Sequence, residues 1–285
     1  MYPSMDEGFP DEFSADAIRE GLDTEWFGQQ PIFCLGVVET TNIEANRLAR
    51  EGKPEGTLVV ADAQTSGRGR LGRTWISPSG TGLYCSMVLR PACVPDRLPA
   101  LALAAGAAGA AAIQQVGLAP ELKWPNDILI SGKKVGGILT ETIFDGKKID
   151  FVVLGIGINV NTAEEAFPVS FKNQATSLRL SLGRPVSRIT LLQNLLVQLE
   201  HYYRLFSKGD IDSIIHTWSQ IDSTLGKPVE ITLPEGRLLG TAESVGPDGT
   251  LLVRDRTNRL HRILAGDVVH CRTDPFTVDR SPSTD

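Results

Sequence analysis

Thr40, Thr41 and Asn42 stand together just after one hydrophobic run, and Gln64 ends the next. TSGRGRLGRTW follows at residues 65–75, placing Arg68, Arg70 and Arg73 among Gly67, Gly69 and Gly72, with Trp75 closing the stretch. Glycine admits backbone conformations closed to other residues, and arginine carries fixed charge on planar donors. Such a loop suits closure around an anion. A third cluster, KWPND followed by GKKVGG, gathers Lys123, Asn126, Asp127, Lys133 and Lys134. Gly136 and Gly137 next to it leave room for a ligand to approach the backbone. A fourth, GIGINVN, ends a strand on Asn159, an amide able to meet a phosphate or a ribose.

Each cluster also has a plainer reading. Thr41 stands three residues before Glu44, the spacing of a helix capping box. The Arg/Gly loop and the Lys133–Lys134 pair also fit solvated turns, and Asn159 a strand-end turn. By residue type alone the anion stays open among a nucleic-acid backbone, a nucleotide and solvent. The sequence holds no Walker loop and no G-x-G-x-x-G between strand and helix. It assembles no Ser-His-Asp set and no G-x-S-x-G elbow. The chemistry is therefore cationic, glycine-lined and without a side-chain nucleophile. That suits two substrates reacting with each other while the protein supplies position and electrostatics.

The elements that must hold these clusters are legible from periodicity. Residues 31–39, 56–64 and 82–91 read as strands, and 40–51 as a helix. ELKWPNDILI, KVGGILTETIF and KIDFVVLGIGINVN read as three successive strands, antiparallel neighbours in one sheet. Leu192, Leu195, Leu196 and Leu199 recur at helical spacing within 188–206, and a short helix over 210–220 follows. From residue 224 the character changes to short strands parted by PEG and PDG turns, the pattern of a small β-barrel.

The predicted fold is α+β: a central mixed or antiparallel sheet flanked by helices, then a small SH3-like β-barrel. The expected division is an acidic extension over 1–30, partly disordered or a short surface helix, then a catalytic domain over 31–223. A β domain over 224–272 and a tail over 273–285 complete it. The extension carries eight acidic residues against the single Arg19.

Composition bounds the partners. The 285 residues are 41% hydrophobic and 22% charged, as in an ordinary globular protein, with a net charge of −6. That balance argues against a nonspecific nucleic-acid binder. Cys34, Cys85, Cys93 and Cys271 form no C-x-x-C pair, and with four dispersed histidines no metal-ligand spacing arises. They read as reduced thiols of a cytoplasmic protein. LPALALAAGAAGAAAI at 98–113 is too short for a membrane span and reads as a buried helix. No signal peptide is expected.

ETTN, Q-x-x-GRGRLGRTW, KWPND, KKVGGIL-x-E and GIGINVN, in this order, resemble the motifs of biotin–protein ligases (biotin–[acetyl-CoA-carboxylase] ligases). The resemblance runs from about residue 31 to about residue 272 and rests on the motif set, not on composition. It implies a core of the class II aminoacyl-tRNA-synthetase and biotin-ligase type, and a reaction in two steps. Biotin and ATP with Mg²⁺ give biotinyl-5′-AMP and pyrophosphate. A lysine of a biotin carboxyl carrier domain then takes the biotinyl group.

Carried over by residue, the resemblance implies biotin contacts from Thr40, Thr41, Asn42 and Gln64, and from Gly67, Arg68, Gly69 and Arg70 of the loop. Lys134 and Gly137 complete that set. It implies nucleotide contacts from Arg70, Arg73, Trp75, Lys123, Asn126, Lys134 and Asn159. Lys134 and Arg68 would act on the reacting carboxylate and α-phosphate, and Asp127 on the incoming lysine.

Thr40 stands where serine is common, Leu71 where a polar or basic residue is, and Ile76 where an aromatic is. The acidic first thirty residues would not build a winged helix-turn-helix and would be repelled by phosphate, so a monofunctional ligase without nucleic-acid or membrane partners is expected. Monomer and homodimer both stay open, as does the carboxylase served. The rival readings are a lipoate–protein ligase-type acyl transferase and a nucleic-acid-binding module built on the Arg/Gly loop.

Overall fold

The computed structural model describes residues 12–233, 236–264 and 266–270. Seven strands form the main sheet: β1 Ile32–Val38, β2 Leu58–Gln64, β3 Gly82–Leu89, β4 Pro120–Lys123, β5 Asp127–Ile130, β6 Lys133–Asp145 and β7 Lys148–Asn159. Their order is β1-β2-β3-β7-β6-β5-β4. β1 and β2 are parallel, joined by helix α2 (Thr41–Arg50), and every other pair is antiparallel. The sheet is thus mixed, and the three later strand segments are antiparallel neighbours as expected. One boundary differs. ELKWPNDILI is not one strand but the hairpin β4–β5, turned at Trp124–Pro125–Asn126. Proline donates no backbone hydrogen bond and breaks the ladder there.

Alternation along the strands divides the sheet into two unlike faces. Leu83, Cys85, Met87 and Leu89 of β3, with Val152, Leu154, Ile156 and Ile158 of β7, point into the large core. Helices α3 (Leu98–Gln115), α5 (Arg188–Lys208) and α6 (Ile211–Gln220) cover that face. α3 is apolar enough to cross a membrane, yet its residues are mostly buried inside the protein. Its small residues allow close packing: a Cβ on Gly109 would come within 2.6 Å of Ile128 Cδ1. The opposite face is covered by α2 only in part, through Ala45, Leu48 and Ala49 on Val59, Val88, Phe151 and Val153. Further along that face β7 carries Gly155 and Gly157, and the sheet is left open.

Residues 12–30, read from sequence as an extension, pack on α5. The short helix α1 (Ala15–Arg19) buries Ile18, and Phe13 and Phe27 join the main core. Glu200 accepts the backbone N–H groups of Glu25, Trp26 and Phe27 at 3.1, 2.8 and 2.8 Å. Three isolated apolar anchors make no periodic pattern, so the acidic composition hid them. Residues 1–11 and the 273–285 tail lie outside the described residues.

A helix between these units, α4 (Leu178–Leu182), precedes α5. Strands β8 Pro228–Leu233, β9 Gly236–Val245, β10 Leu251–Arg254, β11 Leu260–Ile263 and β12 Asp267–His270 form an antiparallel five-stranded sheet in the order β11-β10-β9-β8-β12. This is the small barrel-like unit anticipated from the turn spacing. Trp124 Nε1 donates to the Gly249 carbonyl at 3.1 Å, tying it to the β4–β5 hairpin.

Candidate functional site

The open part of the sheet is the floor of a cavity of about 1140 Å³. Its walls include the start of α2, the 68–76 loop, the β4–β5 hairpin, the segment before α4 and parts of the barrel-like unit, Lys227 and Val268 among them. All four polar clusters of the sequence open onto it. The floor is glycine for a steric reason. A Cβ on Gly157 would lie 2.7 Å from Trp75 Nε1, and one on Gly155 would collide with the Asn42 amide. Period-two alternation sends both positions, with Gly137 of β6, to the site face.

One end of the cavity is lined by hydrogen-bonding groups, with the Glu141 carboxylate behind Asn42. The N-cap of α2 is Thr40, whose hydroxyl accepts from Ile43 N at 3.0 Å. The capping-box reading of Thr41 is therefore corrected by one residue, and its side chain is released to the cavity. The Thr41 backbone N–H donates to Gln64 Oε1 at 2.9 Å, and Gln64 Nε2 donates to Ser77 Oγ at 2.8 Å. Asn42 Nδ2 donates to Glu141 Oε2 at 2.6 Å.

The other end is cationic. Lys134 Nζ is 2.5 Å from Asp127 Oδ1 and 5.5 Å from the centre of the Trp75 ring. Neighbouring strands bring them together, Asp127 at the start of β5 and Lys134 on β6. Asn126 Nδ2 donates to the Ile138 carbonyl at 2.8 Å, which holds the turn of the hairpin against β6. Arg70 Nη1 reaches Asn126 Oδ1 at 3.5 Å and the Gly266 carbonyl at 3.4 Å, so the Arg/Gly loop spans the cavity toward the barrel-like unit. Arg73, Lys123 and Asn159 line the wall, and Asn159 also donates to the Thr176 carbonyl at 3.0 Å.

Trp75 stands between the two ends. Its backbone N–H donates to the Gly67 carbonyl at 2.8 Å, and a side chain at Gly67 would strike Trp75 and Ser77. The buried Trp75 Nε1 has no acceptor among the described residues. Gly69 N–H bonds the Arg73 carbonyl at 2.7 Å, closing the loop on itself with Leu71 at its tip. Leu71 has φ 56° and is 74% exposed. Arg68 stands at the rim and pairs there with Glu39 at 3.2 Å, away from Lys134.

Sequence reasoning missed Ser77, Ser86, Gly155 and Gly157 as parts of this site, and used Glu141 only as a motif letter. For Ser86, Gly155 and Gly157, alternation along β3 and β7 was the signal available. The 167–175 segment was also missed; it is joined to β6 where Lys134 N–H donates to the Gln174 carbonyl at 2.7 Å and Thr176 N–H donates to that of Lys134 at 2.9 Å.

A half-covered mixed sheet with a glycine floor and a cation-lined cavity is the setting in which the Biotin/lipoate A/B protein ligase family model matches, over residues 36–159. The chain is 37% identical over 260 residues to a bifunctional ligase/repressor BirA of Bacillus spizizenii, covering 91% of this chain and 79% of that one. It is 34% identical over 247 residues to a biotin–[acetyl-CoA-carboxylase] ligase of Mycobacterium tuberculosis, covering 83% and 88%. The biotin protein ligase of Aquifex aeolicus, solved in complex with biotin and ATP, superposes with a TM-score of 0.72 at 31% identity, covering 85% and 99%. The chain belongs to the biotin protein ligase family.

Proposed function

We infer that this chain is an ATP-dependent biotin–protein ligase, and one observation carries the reading. A single cavity joins a hydrogen-bonding end, Thr41 with Gln64, to a cationic end, Lys134 with Asp127, across the face of Trp75. A bicyclic urea with an anionic tail fits the first end with its tail at the second. Its carboxylate oxygen attacks the α-phosphorus of ATP; that P–O bond forms as the bond to pyrophosphate breaks. The Lys134 ammonium and the Arg70 guanidinium offset the repulsion between the two anions and stabilise charge on the α-phosphate. Arg68, at the rim, adds charge if it exchanges Glu39 for the ligand.

In the second step the amine of a carrier-domain lysine attacks the acyl carbon. The C–N bond forms, AMP leaves with its oxygen, and Asp127 takes the amine proton. The loop over residues 67–73 shields the hydrolysable anhydride from water. Arg73, Trp75, Lys123, Asn126 and Asn159 surround the nucleotide. Among the described residues no three His, Cys, Asp or Glu side chains cluster to hold a metal. Mg²⁺ carried on phosphates needs as few as one carboxylate, and Glu121 on the cavity wall would supply it. When bound, the ion neutralises phosphate charge.

The test is a mass gain of one biotinyl group on a biotin carboxyl carrier domain incubated with the protein, biotin, ATP and Mg²⁺. Transfer of lipoate instead of biotin would move the chain to the acyl-transferase reading. Absence of adenylation with salt-dependent DNA binding would favour the nucleic-acid reading.

A further inference from the structure

The hydrogen bonds behind the polar end of the cavity run in one direction. Asn42 donates its Nδ2 proton to Glu141 Oε2 at 2.6 Å, which fixes the amide with Oδ1 toward Ser86. The Ser86 hydroxyl donates to that oxygen at 2.6 Å. Ser86 Oγ also lies 2.7 Å from Thr41 Oγ1. A serine hydroxyl has one proton, and an amide oxygen has none to give. With the serine proton committed to Asn42, the one proton of the Thr41 hydroxyl goes to Ser86 Oγ at 2.7 Å or to Gln64 Oε1 at 3.3 Å, and either partner uses it up. Thr41 therefore faces a ligand as an acceptor.

Gln64 is set the same way from its other side. Its Nε2 donates to Ser77, so its Oε1 remains beside Thr41. The two acceptors sit next to each other on the cavity wall. Distance and burial favour this order: Thr41 Oγ1 is nearer Ser86 Oγ, at 2.7 Å, than Gln64 Oε1, at 3.3 Å, Ser86 is fully buried, Asn42 is 7% exposed, and the Gly155 backbone closes on the Asn42 amide. The direction is decided at the far end, by a carboxylate that accepts and cannot donate.

We propose that Glu141 is a positioning residue: through Asn42 and Ser86 it holds Thr41 as an acceptor beside Gln64, so that the pair receives the two N–H groups of a cyclic urea. The proposal rests on the ligase reading and specifies how its first substrate is oriented. Glu141 is exposed on β6, so replacing it does not threaten the fold. Glu141→Gln keeps the shape but supplies an amide that can donate to Asn42, which lets the chain run either way.

The expected result is a rise of about tenfold in KM for biotin, the loss of one charge-assisted bond, with adenylation kcat and the KM for ATP within about twofold. A second readout separates direction from packing. A biotin analogue with one ring N–H replaced by oxygen, a cyclic carbamate, presents an acceptor to an acceptor. The native protein should discriminate strongly against it, and Glu141→Gln should lower that discrimination about tenfold. Ser86→Ala, which cuts the chain in the middle, should relax the same discrimination. Unchanged biotin KM and unchanged discrimination in Glu141→Gln overturn the proposal, as does a KM for ATP that rises in step with that for biotin. Native protein that takes up no biotin in calorimetry overturns the ligase reading, and this proposal with it.

Discussion

The Lys134 ammonium lies 2.5 Å from Asp127 Oδ1 and 5.5 Å from the centre of the Trp75 ring. A carboxylate on one side and a π-face on the other hold the charge without neutralising it, at the place where two anionic substrates must meet. Lys134→Ala removes that charge. Adenylation, measured by ATP–pyrophosphate exchange, should fall by about 10²–10³-fold, the scale of losing one oriented stabilising group. The far-ultraviolet spectrum should stay native, because the side chain is one-third exposed. Near-normal exchange would remove Lys134 from the chemistry.

Asp127 touches the same lysine but serves the later step. Asp127→Asn should slow transfer from preformed biotinyl-AMP to a carrier domain by about 10²-fold, a general-base effect. Adenylate formation should change far less. Equal losses in both half-reactions would mean that Asp127 acts only by orienting Lys134.

Arg70 crosses the cavity to Asn126 and to the Gly266 carbonyl. Arg70→Gly should loosen the loop and release the adenylate, which would then biotinylate lysines of unrelated proteins in a mixed extract. Labelling confined to the carrier domain would show that another residue retains the intermediate.

Glu200 predicts an acid-sensitive join. Burial raises its carboxyl, but the backbone N–H groups of Phe27, Glu25 and Trp26, with Arg204, more than offset this and hold it below the usual range. A depressed folded-state pKa gives stability that is present above the unfolded carboxylate value of about 4.3 and is lost as pH falls through the folded one. Residues 12–30 should therefore gain hydrogen exchange as pH drops below about 4.3. In Glu200→Gln that exchange should already be elevated at neutral pH, with a flatter response to acid.

Trp124 is 1% exposed, and its indole N–H serves the Gly249 carbonyl in the barrel-like unit. Trp124→Phe keeps most of the packing and strands that carbonyl, costing about 1–3 kcal/mol. Thermal unfolding should shift down by several degrees. An unchanged midpoint would mean that the barrel-like unit is held by its apolar contacts alone.

Much of the fold was legible because apolar runs and repeats are local signals. The strands around residues 31–38, 58–64 and 82–89 follow from short apolar runs, the Ala-rich helix from its continuous apolar composition, and the leucine helix from a 3.6-residue repeat. The β4–β5 hairpin was misread because each arm is only four residues long and the turn between them is three. The packing of 12–30 was hidden because its anchors, Phe13, Ile18 and Phe27, obey no repeat and gain meaning only against α5.

The residue types and their order along the chain decided the chemistry: cations and glycines in a loop, a lysine beside two glycines, no nucleophile. Those are properties of single side chains and short spacings. Which threonine caps the helix and which meets the ligand was a tertiary decision, since one helical position separates the two roles. So was the pairing of Arg68 with Glu39 and of Lys134 with Asp127, because charge is long-ranged and the chain offers many partners. The direction of the Glu141–Asn42–Ser86–Thr41 chain belongs to the structure as well. It joins residues 42, 86 and 141 from α2, β3 and β6, and only the packing of those three elements brings Asn42 and Ser86 together, buried, with Glu141 at the chain's exposed end.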